Sequence, residues 1–279
     1  MKREPAGLSA EECARYARHL VIPDFGDLAQ RKLKDARVLV VGLGGLGSPT
    51  SLYLAAAGVG TLGIVDADSV EISNLQRQVI YAERDAGAPK VEAAMARLCG
   101  LNSHVKIQTH GQQFSSSNAA RIAANYDAIV DGTDNLETRY VMNETALRLE
   151  IPYIYGAVYQ LEGQAALLCT PGGPCYSCLF PTPPPPESLR PASETGILGV
   201  VPGIIGLIQA TEVIRWITGY AERGPNRLLL YDARRIEFTS IPIEADPDCP
   251  LCHAHVKGST SRDESSSDSR GPSERTSSP

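Results

Sequence analysis

No excess of positive charge marks this chain: 26 Lys and Arg stand against 32 Asp and Glu, for a net charge of −6. That balance argues against a chain-wide electrostatic footprint for nucleic acid or an anionic membrane, while leaving room for a local basic pocket. Also missing is any uncharged apolar run of about 18 residues, the length a membrane span requires. The start, Met1-Lys2-Arg3-Glu4-Pro5, leads into no apolar segment, so neither a span nor a secretion signal is expected and the cytoplasm is the default location. There is no internal repeat. Hydrophobic residues at 43% and charged residues at 21% exclude both wholesale disorder and a disulfide-built miniature fold. With 279 residues, one large α/β domain with an appendage is expected.

Seven cysteines in such a chain are read by spacing rather than by pairing. Cys175-x-x-Cys178 and Cys249-x-x-Cys252 form two matched halves. Cys13, Cys99 and Cys169 are left over and are expected to be small buried hydrophobes. Two CxxC knuckles suit a tetrahedral four-cysteine zinc site, since thiolates are soft ligands and four of them leave no position open for water. A redox pair is the lesser reading, because the pairs lack a thioredoxin-like setting.

Along the chain, strands alternate with helices through the first half. Residues 1–34 read as a helical segment in which Ser9 and Glu12 make a capping-box pattern. Residues 35–150 follow as a nucleotide-binding half. Its strands are expected at 36–41, 61–66, 105–108 and 127–131, and its helices at 46–57, from Pro89-Lys90 to Leu98, at 118–125 and at 136–149, with Pro89 suited to the first helical position. That rhythm predicts a Rossmann-like doubly wound sheet. Residues 151–257 form the other half of the same domain, with strands at 153–159, 164–169, 228–231 and 236–241 extending the sheet antiparallel, and an apolar helix at 204–217. The proline-rich stretch from Pro181 to about Thr195 cannot enter a sheet interior, and the Ser-rich tail 258–279 is expected to be disordered.

Gly42-Leu43-Gly44-Gly45-Leu46-Gly47 lies between an expected strand and helix, the setting that gives a glycine fingerprint its meaning. Gly42 allows the tight turn, Gly44 the approach of backbone to phosphate, and Gly47 close packing of helix on strand. Asp66, about twenty residues on, is placed to accept hydrogen bonds from ribose hydroxyls. Nucleotide binding follows, though this pattern alone does not separate a dinucleotide from ATP. The separation comes from Ser73-Asn74-Leu75-Gln76-Arg77-Gln78, Pro89-Lys90 and Asp131-Gly132-Thr133-Asp134-Asn135. Singly, Arg77 and Lys90 read as surface charges and Asp134 as a loop residue. Gathered at strand ends, they suit a triphosphate, whose charge must be neutralised by Arg, Lys and Mg²⁺, with Asp134 able to hold the metal.

The RYARHL segment, GLGGLG, SNLQRQ, the APK helix opening, DGTDN, CYSC and CPLC together resemble the MoeB/ThiF family of ubiquitin-activating-like adenylyltransferases over roughly residues 10–255. The resemblance implies a nucleotidyltransferase that uses ATP and Mg²⁺ to adenylate the C-terminal glycine carboxylate of a small ubiquitin-like sulfur-carrier protein ending in diglycine. It further implies that Gly45 approaches the phosphates, that Asp66 takes the ribose, that Asn74, Arg77 and Lys90 clamp the triphosphate, and that Asp134 is the magnesium-binding acid with Asn135 beside it. Arg18 matches an arginine delivered from a partner subunit, so a homodimer is expected, and the zinc held by the four cysteines is expected to be structural. Where many relatives carry a cysteine after the proline-rich loop, this chain has Ala192. The adenylate would then be passed to another thiol or sulfide, and the sulfur would come from a separate donor. Competing readings are a relative that activates a small molecule or a tRNA carboxylate, a catalytically silent adaptor, and a dehydrogenase resting on the glycine pattern alone.

Overall fold

The computed structural model describes residues 7–185, 192–220 and 226–252. The Ser-rich tail and part of the proline-rich loop lie outside them. Eight strands form one sheet in the order β3-β2-β1-β4-β5-β6-β7-β8. They are β1 (Arg37–Val41), β2 (Thr61–Val65), β3 (Lys106–His110), β4 (Ala128–Asp131), β5 (Tyr153–Tyr159), β6 (Glu162–Leu168), β7 (Arg227–Asp232) and β8 (Glu237–Pro242). Neighbours from β3 through β5 pair parallel and the rest antiparallel. The mixed Rossmann-like class predicted from strand and helix alternation is therefore the observed one. Residues of β1 and β4 are almost wholly buried, as strands covered on both faces must be. Every residue of β8 is exposed.

Helices cover both faces. α1 (Ala10–Arg15), α2 (Ala17–Leu20) and α3 (Gly26–Asp35) precede the sheet, and α1 opens with the Ser9–Glu12 capping box. α4 (Gly47–Ala57) ends on Gly58 at φ 84°, where a side chain would overlap Tyr16. α5 (Lys90–Leu101) starts one residue later than predicted, because Pro89 is its N-cap rather than its first helical residue. α6 (Ala119–Ala123), α7 (Leu136–Leu149), α8 (Tyr176–Leu179), α9 (Ala192–Thr195) and α10 (Val200–Thr218) complete the set. By length and composition α10 could cross a membrane, yet here it lies against α4, β5 and β6. Its buried Gln209 donates to the carbonyls of Asp131 (2.7 Å) and Ile154 (3.3 Å), pinning this helix to the two middle strands.

The leftover cysteines depart from expectation. Cys13 and Cys99 are exposed and only Cys169 is partly buried, since helices α1 and α5 each turn one polar face outward.

Candidate active site

Strand order reverses at β1 and β4, which are neighbours whose connections run to opposite sides, and open α/β sheets bind ligands in the crevice outside such a switch point. The loops leaving β1 and β4 touch there. A side chain at Gly42 (φ 88°) would come within 2.7 Å of the Gly132 carbonyl, and one at Gly132 would overlap Gly42. Between these loops opens a cavity of about 410 Å³.

Eight predicted residues line it: Gly42, Gly44, Gly45, Asp66, Arg77, Lys90, Asp134 and Asn135. An added Cβ at Gly44 would meet Gln78 Nε2 at 3.7 Å and the Gly132 carbonyl oxygen at 3.8 Å, ordinary contact distances. Three predicted residues are not brought to the wall. Gly47 instead packs under Gly42, where a Cβ would overlap the Gly42 carbonyl. Asn74 is buried in a 3₁₀ turn, and its Oδ1 accepts from Glu71 N–H at 3.3 Å. Arg18 is exposed on α2.

The charges are held by short links. Asp66 accepts from Leu43 N–H (2.8 Å) and Asp68 N–H (2.9 Å). Burial raises its carboxyl above the ordinary value, with Lys90 and the two amides pulling the other way. Lys90, only 7% exposed, reaches Asp68 at 2.9 Å and Asp66 at 3.9 Å. Arg77 donates to the Ser73 carbonyl at 3.0 Å. Asn135 spends its side-chain oxygen capping α7 through Thr138 N–H. Exposed Asp134 engages no partner among the described residues.

Sequence reasoning did not single out Arg139. Its guanidinium pairs with fully buried Asp131 (3.1 Å) and donates to the carbonyls of Thr133 (3.1 Å) and Gly156 (3.3 Å). Asp131 in turn accepts from Thr133 N–H (3.0 Å) and Tyr153 O–H (2.9 Å). Burial raises the Asp131 carboxyl and Arg139 opposes that. The Thr133 peptide is thus gripped at both ends, fixing the loop that presents Asp134. The legible clue was an arginine four residues past the cap Asn135, hence on the same helix face. Phe114 and Ser115 also line the cavity. They follow β3, so counting every strand end, not only those with motifs, would have found them.

Some distance along α7 lies the second cluster. The Sγ atoms of Cys175, Cys178, Cys249 and Cys252 all fall within 4.8 Å of one another. Separations of 3.7 Å (Cys175–Cys249), 3.7 Å (Cys175–Cys178) and 3.4 Å (Cys178–Cys252) exclude disulfides and approach the edge of about 3.8 Å implied by a tetrahedron with metal–sulfur bonds of about 2.3 Å. Burial and neighbouring Cys178 push the Cys175 thiol up to about 11, the direction a bound cation would reverse. The donor set fits a metal.

The ThiF family profile matches residues 16–251. Among curated relatives, the adenylyltransferase and sulfurtransferase MOCS3-2 of Zea mays is 47% identical over 246 residues, covering 88% of this chain and 51% of the relative. The sulfur carrier protein adenylyltransferase of Thermus thermophilus is 43% identical over 247 residues, covering 87% of this chain and 91% of that one. A crystal structure of E. coli MccB with MccA-N7isoASN superposes with a TM-score of 0.76 at 24% identity, covering 88% of this chain and 75% of the other, and attests the fold. The chain spans about half the length of the maize relative. With most of its length matched to one profile, the chain belongs to the ThiF family.

Proposed function

We propose that this chain adenylylates the C-terminal glycine carboxylate of a small ubiquitin-like sulfur-carrier protein at the expense of ATP, releasing pyrophosphate. The observation that carries this reading is the convergence of Gly44, Asp66, Arg77, Lys90 and Asp134 on one crevice at the β1/β4 switch point. The name of the Thermus relative, a sulfur carrier protein adenylyltransferase, supports the choice of acyl substrate.

No general base is needed. A carboxylate nucleophile is ionised at neutral pH, so the obstacle is bringing about −1 to a triphosphate of about −4. Lys90 and Arg77 screen that repulsion from the protein side, the backbone at Gly44 and Gly45 offers N–H groups at the start of α4, and Asp66 accepts from the ribose. Asp134 would hold Mg²⁺, which supplies further positive charge on the phosphates; one free carboxylate fits the habit of that ion, which binds through one or two carboxylates plus phosphate oxygens. Asn135, its side chain engaged in the cap, acts by shaping the loop. Arg18 is absent from the crevice wall of its own chain and would enter from a second copy, making the active form a homodimer. Together with Mg²⁺ the three cations amount to about +5. Asn74 supports the turn that carries Arg77.

The four-cysteine cluster would hold a structural zinc, tying the segment after β6 to the end of the described chain. Ala192 carries no nucleophile, so the proposed product is the free acyl-adenylate, handed to an external thiol or sulfide from a separate donor. The test is to mix the protein with ATP, Mg²⁺ and diglycine-ended carriers and to seek carrier acyl-adenylate by mass spectrometry and carrier-dependent pyrophosphate exchange. Exchange without any carrier would favour a small acid as substrate, and no binding of ATP under any ionic condition would end the reading.

A further inference from the structure

Asn143 sits on α7 with no exposed surface, and a buried primary amide is retained at a cost unless both its ends are used. Here both are. Oδ1 accepts from Tyr176 N–H (2.8 Å) and from the Cys169 thiol (3.3 Å). Nδ2 donates to Ser177 Oγ (3.2 Å) and to Cys175 Sγ (3.7 Å). Two lone pairs and two hydrogens exhaust the inventory of the amide. The orientation is settled by its surroundings, because a flipped amide would set an N–H against the N–H of Tyr176. The donor end must therefore face Cys175.

Each of these hydrogen-bond partners of Asn143 belongs to the first cysteine knuckle or its approach: Cys169 just after β6, then Cys175, Tyr176 and Ser177. The helix presenting it is rigidly seated. Arg139, one turn earlier on the same face, is bound to Asp131, Thr133 and Gly156, and Tyr140 donates to the Phe180 carbonyl at 2.9 Å, just past the knuckle. Leu147, one turn later, packs against the cysteine cluster. An amide so anchored can hold a ligand sulfur in place before any metal arrives.

We infer that Asn143 is the positioning residue of the thiolate centre: it orients the Cys175–Cys178 knuckle and donates a hydrogen bond to the metal-bound Cys175 sulfur. Groups in this role typically account for about 10–100-fold in metal affinity. The inference rests on the metal reading given above, and its test separates the two.

The 279-residue chain is loaded with zinc, and affinity is measured by competition with a chromophoric chelator for wild type, Asn143→Ala and Asn143→Leu. The Leu variant keeps the branched side-chain shape but has neither donor nor charge, so it remains informative should the Ala variant not fold. Both are expected to bind zinc about 10-fold or more weakly. In cobalt-substituted protein the thiolate-to-metal charge-transfer band should move to lower energy in both variants, since a hydrogen bond to sulfur lowers its lone pairs. Lost packing alone would not produce that shift. Wild-type affinity with an unmoved band in both variants would overturn the inference while leaving the metal site standing. A wild-type protein that takes up neither zinc nor cobalt would instead remove the metal reading on which it rests.

Discussion

The crevice at the parallel half and the thiol cluster at the antiparallel half use opposite physical strategies. In the crevice, the charged groups differ in how far they are engaged: Arg77 donates to one carbonyl, Lys90 is shared between two aspartates, and Asp134 has no partner among the described residues. At the cluster, Cys175, Cys249 and Cys252 are buried and the neighbouring amide of Asn143 is saturated. A site meant to exchange ligands keeps capacity unspent, whereas one meant to keep an ion spends all of it. α7 joins them, its cap Asn135 at the crevice and Asn143 at the cluster.

The contrast is open to direct attack. Asp134→Ala should reduce carrier-dependent pyrophosphate exchange by about 10²–10³-fold or more, the scale for losing a group that organises charge at the reacting centre. Its thermal midpoint should hardly move, because the side chain is exposed and engages no partner among the described residues. If exchange survives, Asp134 has no such role.

Cys175→Ser should do the reverse, acting on stability first. Loss of a buried ligand of about 3–5 kcal/mol corresponds to a fall in thermal midpoint of roughly 6–20 °C at about 2–4 °C per kcal/mol. Scanning calorimetry with and without added zinc would show it, and an unchanged midpoint would mean that the cluster staples nothing.

Arg139→Met probes the region between the two sites. It leaves the Asp131 carboxylate buried without its ion partner, which costs about 3–5 kcal/mol when a buried pair is broken on one side. Because Arg139 also holds the Thr133 carbonyl, nucleotide affinity should fall as well, whereas zinc stoichiometry should stay the same. Equilibrium denaturation and nucleotide titration measure the two effects, and an unaltered denaturation midpoint would contradict the clamp.

The smallest effect concerns pH. The folded-state value of Asp66 lies above its ordinary 3.8 because burial outweighs Lys90. A raised carboxyl binds more protons folded than unfolded, so its contribution to stability falls as pH rises from 3.8 through the folded value and is level above it. Asp66→Asn should remove that slope, so its stability relative to wild type improves with pH across the window. A parallel pair of curves from chemical denaturation would show that Asp66 titrates normally.

Much of the fold could be read directly. α7 and β5 occupy the residues predicted for them, 136–149 and 153–159, and in the structure Asn135 caps the helix. The glycine turn and Asp66 were legible because strand, turn, helix and acid follow one another within a short span where local geometry dominates. Arg139 and Asn143 were not. Both sit among ordinary helical residues, and their partners come from other elements: Asp131 with Gly156 for one, residues 169–177 for the other. The expected burial of Cys13 and Cys99 failed for a related reason, since a helix does not announce which of its small residues faces out.

Residue order alone settled the strand-helix alternation, the glycine turn after β1 and the pairing of CxxC with CxxC, because each depends on backbone preferences or side-chain chemistry over a few positions. Only packing in three dimensions decided that Asn74 is buried in a 3₁₀ turn, that the β4 loop is gripped by a buried Asp131–Arg139 pair, and that one amide on α7 points its donor at a cysteine sulfur. Those outcomes depend on which distant groups arrive beside a side chain once the sheet has formed, and chain-local preferences carry no record of that.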